Sequence, residues 1–72
     1  MTTGEYRVGI TFNPGGNEMV NKIKRAAADL IDLVEGIAPT SDGEIARLRA
    51  LAMTHIEDGA MWAVKAATKP AR

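Results

Sequence analysis

Apolar positions fall into two long stretches of helical period and one short stretch of period two. Between residues 18 and 35, Val20, Ile23, Ala27, Leu30, Ile31 and Val34 recur at three- and four-residue intervals, the spacing of one helix face. Asn17 supplies an N-cap and Glu18 an acid in the first turn, and Gly36 followed by Pro39 supplies the stop. A second helix is expected over 42–68. Ser41-Asp42-Gly43-Glu44 has the S-x-x-E form of a capping box, and Pro70 lies just past the far end. Its main stripe reads Ile45, Leu48, Ala52, Ile56, Gly59, Ala63 and Ala66, with small residues that let a neighbouring helix come close. Ahead of both, Tyr6, Val8, Ile10 and Phe12 alternate with Arg7, Gly9 and Thr11, which predicts an extended arm over 5–12. Asn13-Pro14-Gly15-Gly16 then has turn chemistry, so 13–17 is read as a turn.

The expected architecture is therefore mainly all-α: a single domain, 1–72, built as an antiparallel helical hairpin with a short N-terminal extended segment. A two-helix hairpin cannot enclose a core, and the segment AMWAV at 60–64 is apolar all round. Both features point to a homo-oligomer. With 72 residues and no Cys, no disulfide can add stability, which strengthens the same expectation.

Charge narrows the function classes. Nine Lys and Arg balance nine Asp and Glu. A DNA-coating protein draws its affinity from phosphate neutralisation and carries a clear basic excess, so DNA is not an expected partner. No run is long or apolar enough for a membrane span, no signal peptide opens the chain, and one His without Cys makes no zinc site. A soluble cytoplasmic protein without cofactor is expected.

Candidate chemistry is sparse. The loop from Phe12 to Asn17 feeds a helix N-terminus, whose free N–H groups suit a phosphate, although its glycines match neither the Walker A nor the Rossmann spacing. Lys24 projects between Val20 and Ile31 at the edge of the first apolar stripe. It either snorkels to solvent or holds its ammonium over an anion. With Phe12 it makes a stacking aromatic and a phosphate-pairing cation, the minimum for gripping a nucleotide. His55 reads as a partly buried, hydrogen-bonded side chain, Trp62 as interface packing and Lys65 as a solvated charge. Asp29, Asp32 and Glu35 read as a solvated acidic face. No nucleophile–base set exists, so no enzyme is expected.

The segments FNPGGN, VNKIKRAAADLIDLVE and RLRALAMTHIEDGAMWAVKAAT, in that order, resemble the phage anti-CBASS cyclic-oligonucleotide sponge family, which comprises anti-CBASS protein two and its phage T4 relative. The likeness spans about 6–68. It implies helical hairpins assembled as hexamers in the cytoplasm of the infected host. It also implies binding, without cleavage, of the cyclic di- and trinucleotide messengers of bacterial CBASS immunity. By the same resemblance Phe12 stacks on a base, Asn13 helps line the pockets, Lys24 contacts phosphate, and Lys65 serves a separate trinucleotide pocket. The chain has Ala26 where some relatives carry Thr, and Phe12 and Lys65 where many carry Tyr and Arg. A rival reading from the residues alone is a structural or regulatory helical oligomer that binds a host protein.

Overall fold

The computed structural model describes residues 1–37 and 41–72. Three helices account for the architecture: α1 (Thr3–Val8), α2 (Glu18–Glu35) and α3 (Gly43–Thr68). Helices α2 and α3 lie side by side and antiparallel. Asn17 at the start of α2 donates to the carbonyl of Ala67 near the end of α3 (3.5 Å), and Arg49 near the start of α3 donates to the carbonyl of Ile37 just past α2 (2.9 Å).

The N-terminal arm is a correction: residues 5–12 are not extended, and no strand occurs among the described residues. Thr2 and Glu5 form a reciprocal capping box, with Thr2 Oγ1 accepting from the Glu5 amide (3.1 Å) and Glu5 Oε1 from the Thr2 amide (2.8 Å). Gly9 ends the helix in the left-handed region (φ 65°), where a glycine has no Cβ to clash. The Ile10 amide reaches the Glu5 carbonyl and the Gly9 amide the Tyr6 carbonyl, the pair of bonds that closes a Schellman turn. A lone strand would have left its backbone groups unpaired, whereas one helical turn with caps at both ends satisfies them locally.

Helix α2 has the predicted bounds and the predicted cap, Asn17 Oδ1 accepting from the Val20 amide (3.1 Å). Gly36 ends it in the right-handed region (φ −75°); Pro39, expected to reinforce that stop, lies outside the described residues. At α3 the cap is Asp42, not Ser41: Asp42 Oδ1 accepts from the Glu44 amide (2.9 Å). Glu44 instead pairs with Arg47 through both carboxylate oxygens (2.6 and 3.0 Å).

The core is thin. Val20, Ala28 and Ile31 of α2 and Met53 and Ala60 of α3 are its buried apolar side chains. The covered face of α3 runs through Ala46, Arg49, Ala52, Met53, Ile56, Glu57, Ala60, Ala63, Val64 and Ala67, so Ala52, Ile56 and Ala63 of the predicted stripe are partly covered. Gly59 and Ala66 are exposed, and Ile45 and Leu48, though exposed, border an apolar hollow with Val34 and Ile37. Helix α1 lies across the pair. Gly4 is buried so closely against α2 that a Cβ there would meet the Ala28 carbonyl oxygen at 2.1 Å, and its amide donates to Asp32 Oδ1 at 2.7 Å. Arg25 of α2 reaches Glu5 (2.8 Å), and Arg7 reaches Glu57 of α3 (2.7 Å). One short helix is thereby fastened to both long ones, and the chain leaves it at Gly9 aimed at the start of α2.

Candidate functional site

The loop from Gly9 to Asn17 is built by local chemistry. The Phe12 amide donates to the Gly9 carbonyl (2.9 Å) and the Gly16 amide to the Asn13 carbonyl (3.0 Å), two successive tight turns. Pro14 presets the second. Positive φ falls on Gly16 (61°) rather than Gly15, so the turn over 13–16 is of type I with a left-handed residue at its end. Asn13 braces the loop from within. Its Oδ1 accepts from the Asn17 amide (3.2 Å), while its Nδ2 donates to the Asn17 carbonyl (2.8 Å) and to Asn21 Oδ1 (2.9 Å).

Lys24 supplies the remaining brace. It is 6 % exposed, and its ammonium donates to the Gly9 carbonyl (2.8 Å) and to the Phe12 carbonyl. The same Nζ lies 5.5 Å from the centroid of the Phe12 ring. Among the described residues no carboxylate lies within ion-pairing distance of it. Lys24 therefore does not snorkel to solvent: its charge sits beneath the loop, satisfied by dipoles but not neutralised. Phe12, whose ring faces this ammonium, is 72 % exposed. Burial of an ammonium without a counter-ion is costly unless something else draws on the charge.

Two concavities flank the Phe12 ring, and Phe12, Lys24 and Val64 border both. One, about 460 Å³, lies on the α1 side and is walled further by Tyr6, Arg7, Glu57 and Met61. The other, about 490 Å³, lies on the loop side with Asn13, Pro14, Asn17 and Ala67 around it. The structure thus brings Phe12, Asn13 and Lys24 to one place. Lys65 is elsewhere, exposed on α3 and bordering neither hollow, its Nζ 5.3 Å from the centroid of the Trp62 ring. His55 is exposed rather than partly buried, because the inward face of α3 runs past it on Met53 and Glu57. No cluster of His, Cys, Asp and Glu suited to a metal ion occurs among the described residues, and no helix among them is long and apolar enough to cross a membrane.

The model of the Acb2/Tad1 hairpin domain matches residues 5–68, nearly the whole chain. The chain belongs to this family. The match covers the last four residues of α1, the bracing loop and both long helices, so the Acb2/Tad1 hairpin includes every element that shapes the Phe12 site. Comparison with curated proteins and with solved structures gives no match.

That Tyr6, Arg7, Glu57 and Met61 line the α1-side hollow was not legible in the sequence. Their place depends on α1 being a helix, and the signal that could have revealed it is the T-x-x-E spacing of Thr2 and Glu5.

Proposed function

We propose that this Acb2/Tad1 hairpin binds cyclic di- and trinucleotide messengers of bacterial CBASS immunity and sequesters them without degrading them, as a homo-oligomer (a hexamer) in the cytoplasm of the infected host. The observation that carries the reading is the buried, un-neutralised Lys24 ammonium beneath the exposed Phe12 ring. A cyclic oligonucleotide presents a base and a phosphate at fixed separation, and a ring beside a cation is complementary to that pair. Two of the three protons of Nζ are committed to the Gly9 and Phe12 carbonyls, so a phosphate takes the third or replaces a carbonyl. Asn13 serves by holding the loop, with its amide turned inward. Lys65, apart from Phe12, belongs to the separate trinucleotide pocket, which a neighbouring subunit completes.

Titration calorimetry with cyclic diguanylate and cyclic diadenylate tests the reading. Phe12→Ala and Lys24→Ala each weaken binding by roughly 1–3 kcal/mol, the range for one stacked base or one charge-assisted hydrogen bond. Ligand released by heating the complex elutes unchanged on chromatography. Affinity unaltered in both variants rejects the site, and a cleaved product makes the chain an enzyme instead. The alternative, a helical oligomer that binds a host protein, draws on the exposed Ile45, Leu48 and Leu51; it requires assembly that ignores nucleotides.

A further inference from the structure

Phe12 has a hollow on each side, and the two are nearly equal in size. Volumes of about 460 and 490 Å³ both suit a small ligand, so size does not say which one receives the base. Chemistry does. On the loop side the side-chain amides of Asn13 and Asn17 are committed to the loop and to Ala67, and no second aromatic borders that hollow. On the α1 side Tyr6 is 77 % exposed, the most open aromatic of the chain, and borders the same hollow as Phe12. A tyrosine left this open on a capped, docked helix adds little to the fold. Behind it the Arg7–Glu57 pair (2.7 Å), joined by Thr54 at 3.3 Å from Arg7, offers both donors and acceptors to the edge of a heterocycle.

We infer that the α1-side hollow is the base subsite, with Tyr6 as a second aromatic wall that holds one base of the cyclic nucleotide against Phe12. This rests on the sponge reading above and adds to it a residue and a side. Stacking contributes per face and tolerates any base, so a two-walled slot grips without selecting strongly among them.

The test is calorimetric titration of the full chain and its variants with whichever of cyclic diguanylate and cyclic diadenylate binds the parent more tightly. Tyr6→Ala weakens binding about tenfold, whereas Tyr6→Phe, which keeps the ring, stays within about twofold of the parent. Because Tyr6 is exposed, neither change threatens folding, and an unaltered helical circular dichroism spectrum checks this. Ala67→Leu, which narrows the loop-side hollow, also stays within about twofold. If Tyr6→Ala binds like the parent while Phe12→Ala does not, the second wall is overturned and the sponge reading stands. A loss in Ala67→Leu with none in Tyr6→Ala places the base on the loop side and overturns the inference equally. A parent chain that binds neither nucleotide rejects the sponge reading, and this inference with it.

Discussion

In the proposed site Lys24 joins two jobs in one side chain. Its hydrogen bonds to the carbonyls of Gly9 and Phe12 hold the loop down, and its charge makes that loop attractive to an anion. The two jobs separate in Lys24→Met, which keeps an unbranched apolar stem of similar reach but neither donor nor charge. An unpaired buried carbonyl costs about 1–3 kcal/mol, so the loop opens to water instead of staying in place. Amide hydrogen exchange at Phe12, whose N–H closes the turn onto Gly9, therefore speeds up, and affinity for a cyclic dinucleotide falls in the same variant. Fast exchange with retained affinity would mean that the charge is dispensable and only the ring matters. Retained protection with lost affinity would mean that the carbonyl contacts are incidental.

At the scale of elements the informative case is α1, six residues that would not form a helix alone. It persists because its first turn is capped from within and its body is docked. Gly4→Ala attacks the docking directly: its Cβ would sit 2.1 Å from the backbone oxygen of Ala28, which cannot swing away. Overpacking of this kind costs about 1–3 kcal/mol, and in a chain this short it lowers the melting temperature by on the order of 10 °C in a thermal circular dichroism scan. Acid attacks the same contact. The hydrogen bond from Arg25, with that from the Thr2 amide, lowers the Glu5 carboxyl from the ordinary value of 4.5 to about 2. A group whose folded value is depressed stabilises fully above its unfolded value and loses that contribution as pH falls toward the folded one. Docking of α1 therefore weakens between about pH 4.5 and 2, and Glu5→Gln flattens amide protection in α1 across that window. These contacts explain what was legible in the sequence. Helix α2 was readable end to end because Asn17, its apolar stripe and Gly36 agree. Helix α1 was not legible because Tyr6, Val8, Ile10 and Phe12 alternate by coincidence, and that alternation masks the Thr2–Glu5 box. The face of α3 was legible only in part: Ala52, Ile56 and Ala63 are partly covered as the stripe predicts, but its many alanines give the stripe little direction, and Met53 and Ala60 are buried while Ile45 and Leu48 are exposed. Phe12 and Lys24 were paired from residue chemistry, and Asn13 and Lys65 came from the family resemblance. The first three lie together and Lys65 lies apart, while the α1-side wall had no signal, since no local pattern ties Tyr6 to Glu57.

The whole molecule is a slab, 49 × 25 × 13 Å, with a radius of gyration of 13.8 Å where a compact chain of this length has about 11 Å. Its surface of 5170 Å² exceeds the ~4300 Å² usual for a folded monomer of this mass. The excess is concentrated in part where α2 gives way to α3: Leu30, Leu33, Ile37, Ile45, Leu48 and Leu51 are all exposed, and an apolar hollow of about 280 Å³ opens between Val34, Ile37, Ile45 and Leu48. The Phe12 site lies at the other end of the hairpin, beside the start of α2 and the end of α3. A substitution at the apolar end therefore changes no residue that borders the hollows beside Phe12. A double variant, Leu48→Glu with Leu51→Glu, places two charges on the apolar end and leaves Phe12, Lys24 and Tyr6 untouched. If copies meet there, sedimentation velocity shows the parent as a multi-subunit species and the variant as smaller, with less helix because one thin layer no longer leans on another. Affinity for a cyclic dinucleotide then decides how the site is made. A dissociated variant that still binds like the parent has a complete pocket in each chain. One that loses binding, with its Phe12 loop still protected from exchange, has its pocket closed by a second copy. The second outcome is expected, because each hollow beside Phe12 is open to solvent on its outer side, and a ligand with two bases has one base left uncovered by any single hairpin.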